Sequence, residues 1–248
     1  MAKKPSDLLN GSTVGGSAFA QVTAGILWFM MLTGLIILTS LPGFVAGFFL
    51  APVPGNLPLA FLCLLPVGPS ASAALFAWRR RDVEGTDLIP GGHFWRGYRL
   101  NALDVLKWWV PYLLLLAVIA FVSVNISVSG WPPQLVWAFV VIAVLLTLIA
   151  AHLMVVTSLF SFRTIDAVRI SLLFVFKHWR ATLAYACLVA AMGLLTRWPG
   201  DWVIAVFSSV FAFWWLRLAR AEIDNVMTQF VPPQPSTDDP AGNGWPEG

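Results

Sequence analysis

Few residues in this 248-residue chain could do chemistry, and most of them stand alone. His152 is the one ionisable side chain inside a candidate span, in Ala150-Ala151-His152-Leu153-Met154. An ionisable group at membrane depth marks a functional site by default. The other reading is a neutral imidazole bonded to a neighbouring helix. No Asp or Glu lies well inside an apolar run, so no partner carboxylate is in view and the second reading is preferred. The missing acidic groups also argue against proton- or sodium-coupled transport. Asp82, Glu84, Asp87 and His93 form the only acidic cluster with a histidine, and their polar, Gly-rich context reads as a solvated loop. Arg197 and Asp201 flank Trp198-Pro199-Gly200, as a local ion pair across a tight turn or as an exterior site for an anion or sugar. Cys63 and Cys187 lie in separate apolar runs and read as small hydrophobes rather than a disulfide or metal ligands. The chain has no P-loop, HExxH or G-x-S-x-G motif, and no Cys/His group with ligand spacing. No cofactor and no catalytic activity are expected.

The elements that carry these residues are apolar. Hydrophobic residues make up 58% of the chain and charged residues 11%, where a soluble domain carries about a quarter charged. Mean hydropathy is +0.79. So much apolar surface cannot be hidden from water, and the expected solvent is lipid. The net charge of +3 could suggest nucleic acid, but the basic residues sit beside apolar runs, where they set topology and meet anionic lipid.

An all-α fold of six transmembrane helices is expected in one domain over residues 18–230. A crossing needs roughly 17–25 residues. The candidates are Ala18–Leu41, Leu57–Trp78, Trp108–Val128, Gln134–Phe160 and two shorter ones, Ala181–Thr196 and Asp201–Leu216. Residues 1–17 read as a cytoplasmic tail, and Pro/Gly/Ser/Asp-rich residues 231–248 as a disordered one. With these spans, 14 of the 15 Lys and Arg residues fall on one side and only Arg197 on the other. The positive-inside rule makes the basic side cytoplasmic and places both termini there. Trp78, Trp108, Trp109, Trp179, Trp214 and Trp215, among others, read as an aromatic belt at the span ends. Pro66, Gly68, Pro69 and the small residues Ser70–Ala74 mark either a broken helix lining a cavity or, preferred, a closely packed kinked span.

Two connections read as amphipathic helices lying in the cytoplasmic interface. In Phe94–Lys107 the expected apolar face is Trp95, Tyr98, Ala102, Val105 and Trp109, with Arg96 and Arg99 off it. In the second, Arg163, Asp166, Arg169, Lys177 and Arg180 make a charged stripe, and Ile165, Val168, Leu172, Val175 and Phe176 cover another side. The two end alike, in Lys107-Trp108-Trp109 and Lys177-His178-Trp179, which suggests a weak internal repeat.

The second span brings a likeness. Leu65-Pro66-Val67-Gly68-Pro69-Ser70-Ala71-Ser72-Ala73-Ala74-Leu75-Phe76-Ala77 resembles the Leu-Pro…Gly-Pro-Ala-x-x-Ala-Leu segment of the YesL family. His93-Phe94-Trp95-Arg96-Gly97-Tyr98-Arg99-Leu100-Asn101 resembles the Phe-rich basic stretch that follows it there. That family comprises bacterial membrane proteins associated with oligosaccharide uptake by ABC-type permeases. The resemblance implies a multi-pass protein of the cytoplasmic membrane, accessory to an ABC sugar permease or its sensing, with no catalytic residues to carry over. The basic helices, with Arg96, Arg99, Arg163, Arg169, Lys177 and Arg180, would then dock on permease subunits or face lipid. The alternative is a stand-alone transporter or channel for a neutral solute, with His152 and the Pro66–Pro69 kink near its cavity.

Orientation is directly testable. In a variant with Cys63 and Cys187 changed to Ser, P52C and S129C are expected to react with a membrane-impermeant thiol reagent on intact cells. T86C is expected to react only after the cells are opened. Labelling of T86C on intact cells would invert the topology.

Overall fold

The computed structural model describes the backbone of residues 5–84, 90–126, 128–160, 162–197 and 201–230. Side chains are described within these stretches except at 5–21, 84, 90, 196, 197, 201, 202, 204, 229 and 230. The expected tail 231–248 lies outside the described residues. Nine α-helices and one 3-10 turn, with no strand, make up the described residues: α1 Pro5–Phe48, the turn Pro54–Asn56, α2 Leu57–Leu62, α3 Val67–Glu84, α4 Pro90–Val124, α5 Leu135–Leu159, α6 Thr164–Lys177, α7 Trp179–Arg197, α8 Asp201–Leu218 and α9 Arg220–Phe230.

Four helical stretches are long and apolar enough to cross a membrane: Val22–Phe48, Pro54–Val83, Gly91–Val124 and Leu135–Leu159. A fifth is added if Thr164–Lys177 and Trp179–Leu195, bent by 97° at their junction, count as one span. The outer surface agrees, with Leu38, Val118, Val141, Leu145 and Leu183 among many large apolar side chains left exposed. The chain is an all-helical, multi-pass membrane protein whose apolar helices suit contact with a lipid bilayer. The remaining two of the six expected spans correspond to α7 and α8, of 19 and 18 residues.

Helix α1 begins at Pro5, within the stretch read as a cytoplasmic tail. Two expectations are corrected. Phe94–Lys107 is no separate interfacial helix but the first part of the continuous 35-residue α4, which opens at Pro90. Proline suits that first turn, since its missing N–H has no helical partner there. The buried residues of this stretch are Phe94, Gly97, Val105 and Trp108, while Trp95, assigned to the apolar face, is 42% exposed. The internal repeat fails with it. The chain runs straight through Lys107-Trp108-Trp109 but breaks at His178, between α6 and α7.

The core is aromatic and joins α1, α3 and α8. Trp78 sits at its centre, 1% exposed, with ring centroids 4.6 Å from Phe29, 5.6 Å from Trp28 and 5.0 Å from Phe213. Its indole N–H donates to the Ser209 carbonyl at 3.2 Å. Trp78 and Trp108 are therefore core residues rather than belt residues. Trp131, Trp137, Trp179 and Trp214 are more than half exposed, as a belt requires.

The kink packs tightly. The chain turns between α2 and α3 at Cys63–Pro66, and Ser70, Ser72, Ala73 and Ala74 on the far side are fully buried. The Leu64 carbonyl accepts the Val67 N–H within the turn and also the Trp109 indole N–H, each at 3.1 Å. Ser70 donates to the Pro66 carbonyl at 2.7 Å and meets Thr39 at 2.8 Å. Glycine lets helices approach closely: a Cβ at Gly68 would lie 2.7 Å from the Trp109 ring, and one at Gly97 2.8 Å from Phe76. A Cβ at Gly43 would overlap the Cys63 carbonyl oxygen, a backbone atom that cannot swing aside.

G43A is expected to destabilise the protein by about 1–3 kcal/mol through overpacking, read as thermal unfolding in mild detergent. G34A has open space for its methyl and is expected to stabilise by up to about 1 kcal/mol through helix propensity. Equal effects would contradict the close contact at Gly43.

Candidate functional site

The polar cluster with most potential for chemistry forms around His152, and it is assembled by four elements. The last three turns of α5 are continuously buried from Ala150 to Ser158, because α3, α6 and α7 pack around that end. His152 is 0% exposed there. Its Nδ1 lies 2.8 Å from Oε1 of Glu222, itself 1% exposed on α9. Its Nε2 lies 2.9 Å from the Thr182 hydroxyl of α7. Tyr185, one turn further along α7, is 1% exposed and packs edge-on against the imidazole at 4.9 Å. The Tyr185 hydroxyl stands beside the Glu222 carboxyl without a closed hydrogen bond to it.

Glu222 is the partner carboxylate whose absence the sequence implied. It stands at residue 222, beyond the apolar run, in a helix whose sequence looks exposed. α9 nonetheless packs against the bundle, with Ile223 and Val226 buried beside Glu222. The one sequence signal was spacing: Glu222, Ile223 and Val226 share a face of α9 at steps of three and four, with Ala219 one turn earlier.

The hydrogen-bond directions place one imidazole proton. The Thr182 hydroxyl has one hydrogen and donates it to the Val175 carbonyl at 2.9 Å, with the His178 carbonyl at 3.2 Å. It must then accept from His152 Nε2–H. Nδ1 and a carboxylate oxygen face each other at 2.8 Å as an ion-pair contact without a closed hydrogen bond between them. A lone buried carboxylate would cost several kcal/mol, and this arrangement avoids that.

The cluster also builds the elbow between α6 and α7. Breaking a helix strands its last carbonyls. Here Thr182 reaches back seven residues to the Val175 carbonyl. Asn225 of α9 donates its amide N–H to His178 Nε2 at 3.0 Å, and Lys177 reaches Asn225 Oδ1 at 3.5 Å. His152, Thr182, His178, Asn225 and Glu222 thus form one clamp across α5, the elbow and α9. At 0% and 1% exposure, His152 and Glu222 meet no reactant in this arrangement.

The other predicted residues are dispersed. Arg163, Arg169, Lys177 and Arg180 are exposed along one side of α6 and its junction with α7, and Arg180 lies over the Trp179 ring at 5.7 Å. Arg96 and Arg99 are exposed on α4, beside a shallow depression of about 550 Å³ that Trp95 also lines. The side chains of Arg197 and Asp201 lie outside the described residues. Asp82 is not in open solvent: Arg217 approaches it at 3.3 Å and Arg220 at 3.6 Å. Cys63 and Cys187 are free thiols. Among the described residues no three His, Cys, Asp or Glu side chains come close enough to hold a metal ion. No protein-family model, curated protein or solved structure matches this chain.

The clamp predicts strong coupling between its two central residues. E222A and H152A are each expected to destabilise by about 3–5 kcal/mol, since each leaves a buried polar group without its partner. H152L/E222L is expected to lose far less than the sum of the singles. Additive losses in thermal unfolding would show that the two groups do not support each other.

Proposed function

We propose that this chain is a non-enzymatic protein of the bacterial cytoplasmic membrane, with six spans and both termini inside, accessory to an ABC-type carbohydrate permease and related to the YesL family. The observation that carries this reading is α6, a helix with three distinct faces. Ala167, Ser171 and Phe174 are buried against the bundle. Ile165, Val168, Leu172 and Phe176 are exposed and apolar, a side suited to lipid. Arg163, Asp166, Arg169 and Lys177 are exposed on the third side. The clamp holds this helix at 97° to α7, so its basic row faces away from the bundle in a fixed pose. A rigid, charged elbow suits docking on a partner's acidic surface.

Other features support the same reading. The near-complete segregation of Lys and Arg by the six-span alternation favours counting α7 and α8 as crossings. The residues that resemble the YesL pattern serve packing: Gly68 against Trp109, Gly97 against Phe76, and Asn101 donating to the Ser158 carbonyl at 2.8 Å. The inaccessible His152–Glu222 pair favours a non-enzymatic role. A stand-alone carrier for a neutral solute needs a polar cavity between its spans. The depression beside the Pro66–Pro69 kink is about 600 Å³, but its walls are almost wholly apolar, among them Pro42, Leu59, Leu62 and Leu106. The cavity bounded by α1, α3, α7 and α8 is also mainly apolar, and at about 120 Å³ it is below the roughly 300 Å³ at which small-molecule sites begin.

Tagged protein isolated from its native host in mild detergent is expected to bring down permease subunits identifiable by mass spectrometry. R163E/R169E/K177E/R180E is expected to recover at least about tenfold less of them at equal yield, because like charges then face each other. Absence of permease subunits from the wild-type sample, or equal recovery by the variant, would refute the reading.

A further inference from the structure

We propose that the α6–α7 elbow is a proton-sensitive hinge, with the imidazole of His178 as its sensor and Asn225 of α9 as the contact it releases. His178 occupies the break itself, where the chain bends by 97°. Its backbone leaves the helix at φ −108° and ψ 51°, and its carbonyl accepts the Thr182 N–H at 3.0 Å. The ring is half-buried and lies edge-on to Phe174 at 5.1 Å, so a proton reaches it without the bundle opening. Its Nε2 receives the Asn225 amide N–H at 3.0 Å. An amide NH2 group only donates, so this nitrogen carries a lone pair and the ring in the clamp is neutral. The inference concerns the elbow alone and holds whatever surface docks on it.

The other end of the same amide gives the hinge its direction. Asn225 Oδ1 faces the Lys177 ammonium at 3.5 Å. The amide thus serves one lone pair and one cation, and it serves them in one orientation. A protonated imidazole has two donors and no acceptor. Asn225 would then face two cations with a single oxygen. Turned round, it would accept from His178 but aim its NH2 group at Lys177. Either way one contact is lost, and among the described residues these two hydrogen bonds are what tie α9 to the elbow. The charges around the ring are Lys177 and Arg180 beside it in the chain, Glu222 and the exposed Asp224 on α9, and His152 on α5. Burial lowers the imidazole pKa from its ordinary value, Lys177 and His152 act the same way, and Glu222 opposes them. The neutral ring is therefore the folded form. Its contact is present above the ordinary value of about 6.5 and is lost as pH falls through the lowered one. Ile223 and Val226 stay buried in the core, so what loosens is the tie between α9 and α6 and not the bundle.

The test reads the distance between the two helices in the full chain. Spin labels are placed at L173C on α6 and T228C on α9, both exposed positions, with Cys63 and Cys187 changed to Ser. In nanodiscs at about pH 8 a single narrow distance distribution is expected. At about pH 5 it is expected to broaden reversibly, with a midpoint below about 6.5. H178Q keeps an acceptor for the Asn225 amide but takes no proton, and is expected to stay narrow at both pH values. K177M frees the Asn225 oxygen for a protonated ring and is expected to lose most of the broadening. D224N removes an acid that plays no part in the conflict and is expected to respond as the parent does. Broadening in H178Q equal to the parent's would assign the response to another group, the His152–Glu222 pair first, and overturn the proposal. A parent distribution that is the same at both pH values would overturn it too. Should H178Q fail to fold, K177M decides, since full broadening there would remove the shared amide from the switch.

Discussion

A carboxyl group at 1% exposure has to be answered by its surroundings, and much of one end of this molecule is arranged around answering Glu222. Its partner His152 sits on α5, and the other nitrogen of that imidazole is engaged by Thr182. Thr182 in turn accounts for a carbonyl left over by the break between α6 and α7. This buried contact therefore couples three things: the docking of α9, the bend of the elbow and the position of the buried end of α5. Removing either partner leaves the other buried without compensation, which is why such a pair fixes an arrangement more firmly than it stabilises the fold.

The rest of the bundle solves a different problem. In lipid, helices gain little from hiding apolar surface against each other, so close contact and aromatic packing have to hold them. Gly43, Gly68 and Gly97 each allow a neighbour to approach where a methyl group would collide. Trp78 fills the space between α1, α3 and α8 and closes it with a hydrogen bond to the Ser209 carbonyl. Ser70, Thr39 and Ser40 link α1 to α3 by hydroxyl contacts beside the Pro66 turn. The kinked span is thus a packing device, and its Leu64 carbonyl carries two hydrogen bonds, from the Val67 N–H and from the Trp109 indole.

The contrast between α4 and the α6–α7 elbow shows how little a local pattern decides. Both places carry a lysine followed by aromatic or imidazole side chains, and only one bends. At Lys107 the helix continues, with Lys107 paired to Asp104 at 2.6 Å on the same helix. At Lys177 the backbone leaves the helix, because Thr182, Asn225 and the buried His152 take up the groups that the break exposes. A bend is tolerated where tertiary partners exist to satisfy it.

Composition determined the class of architecture alone. Long apolar runs exclude water as the solvent for most of this chain, because hydropathy acts on each segment independently of its neighbours. The charged stripe and the apolar side of α6 were legible for the same reason, since charge and hydrophobicity at steps of three and four describe one helix by itself, while its buried face of Ala167, Ser171 and Phe174 was not. What stayed hidden was everything that needs two distant segments at once. Glu222 lies 70 positions from His152 and reads as an exposed charge until α9 packs against α5. Trp78 reads as a belt residue until α1 and α8 enclose it. In each case the side chain's role depends on which other helix arrives, and the packing of a membrane bundle settles that through close steric fit, which leaves no periodic trace in a single segment.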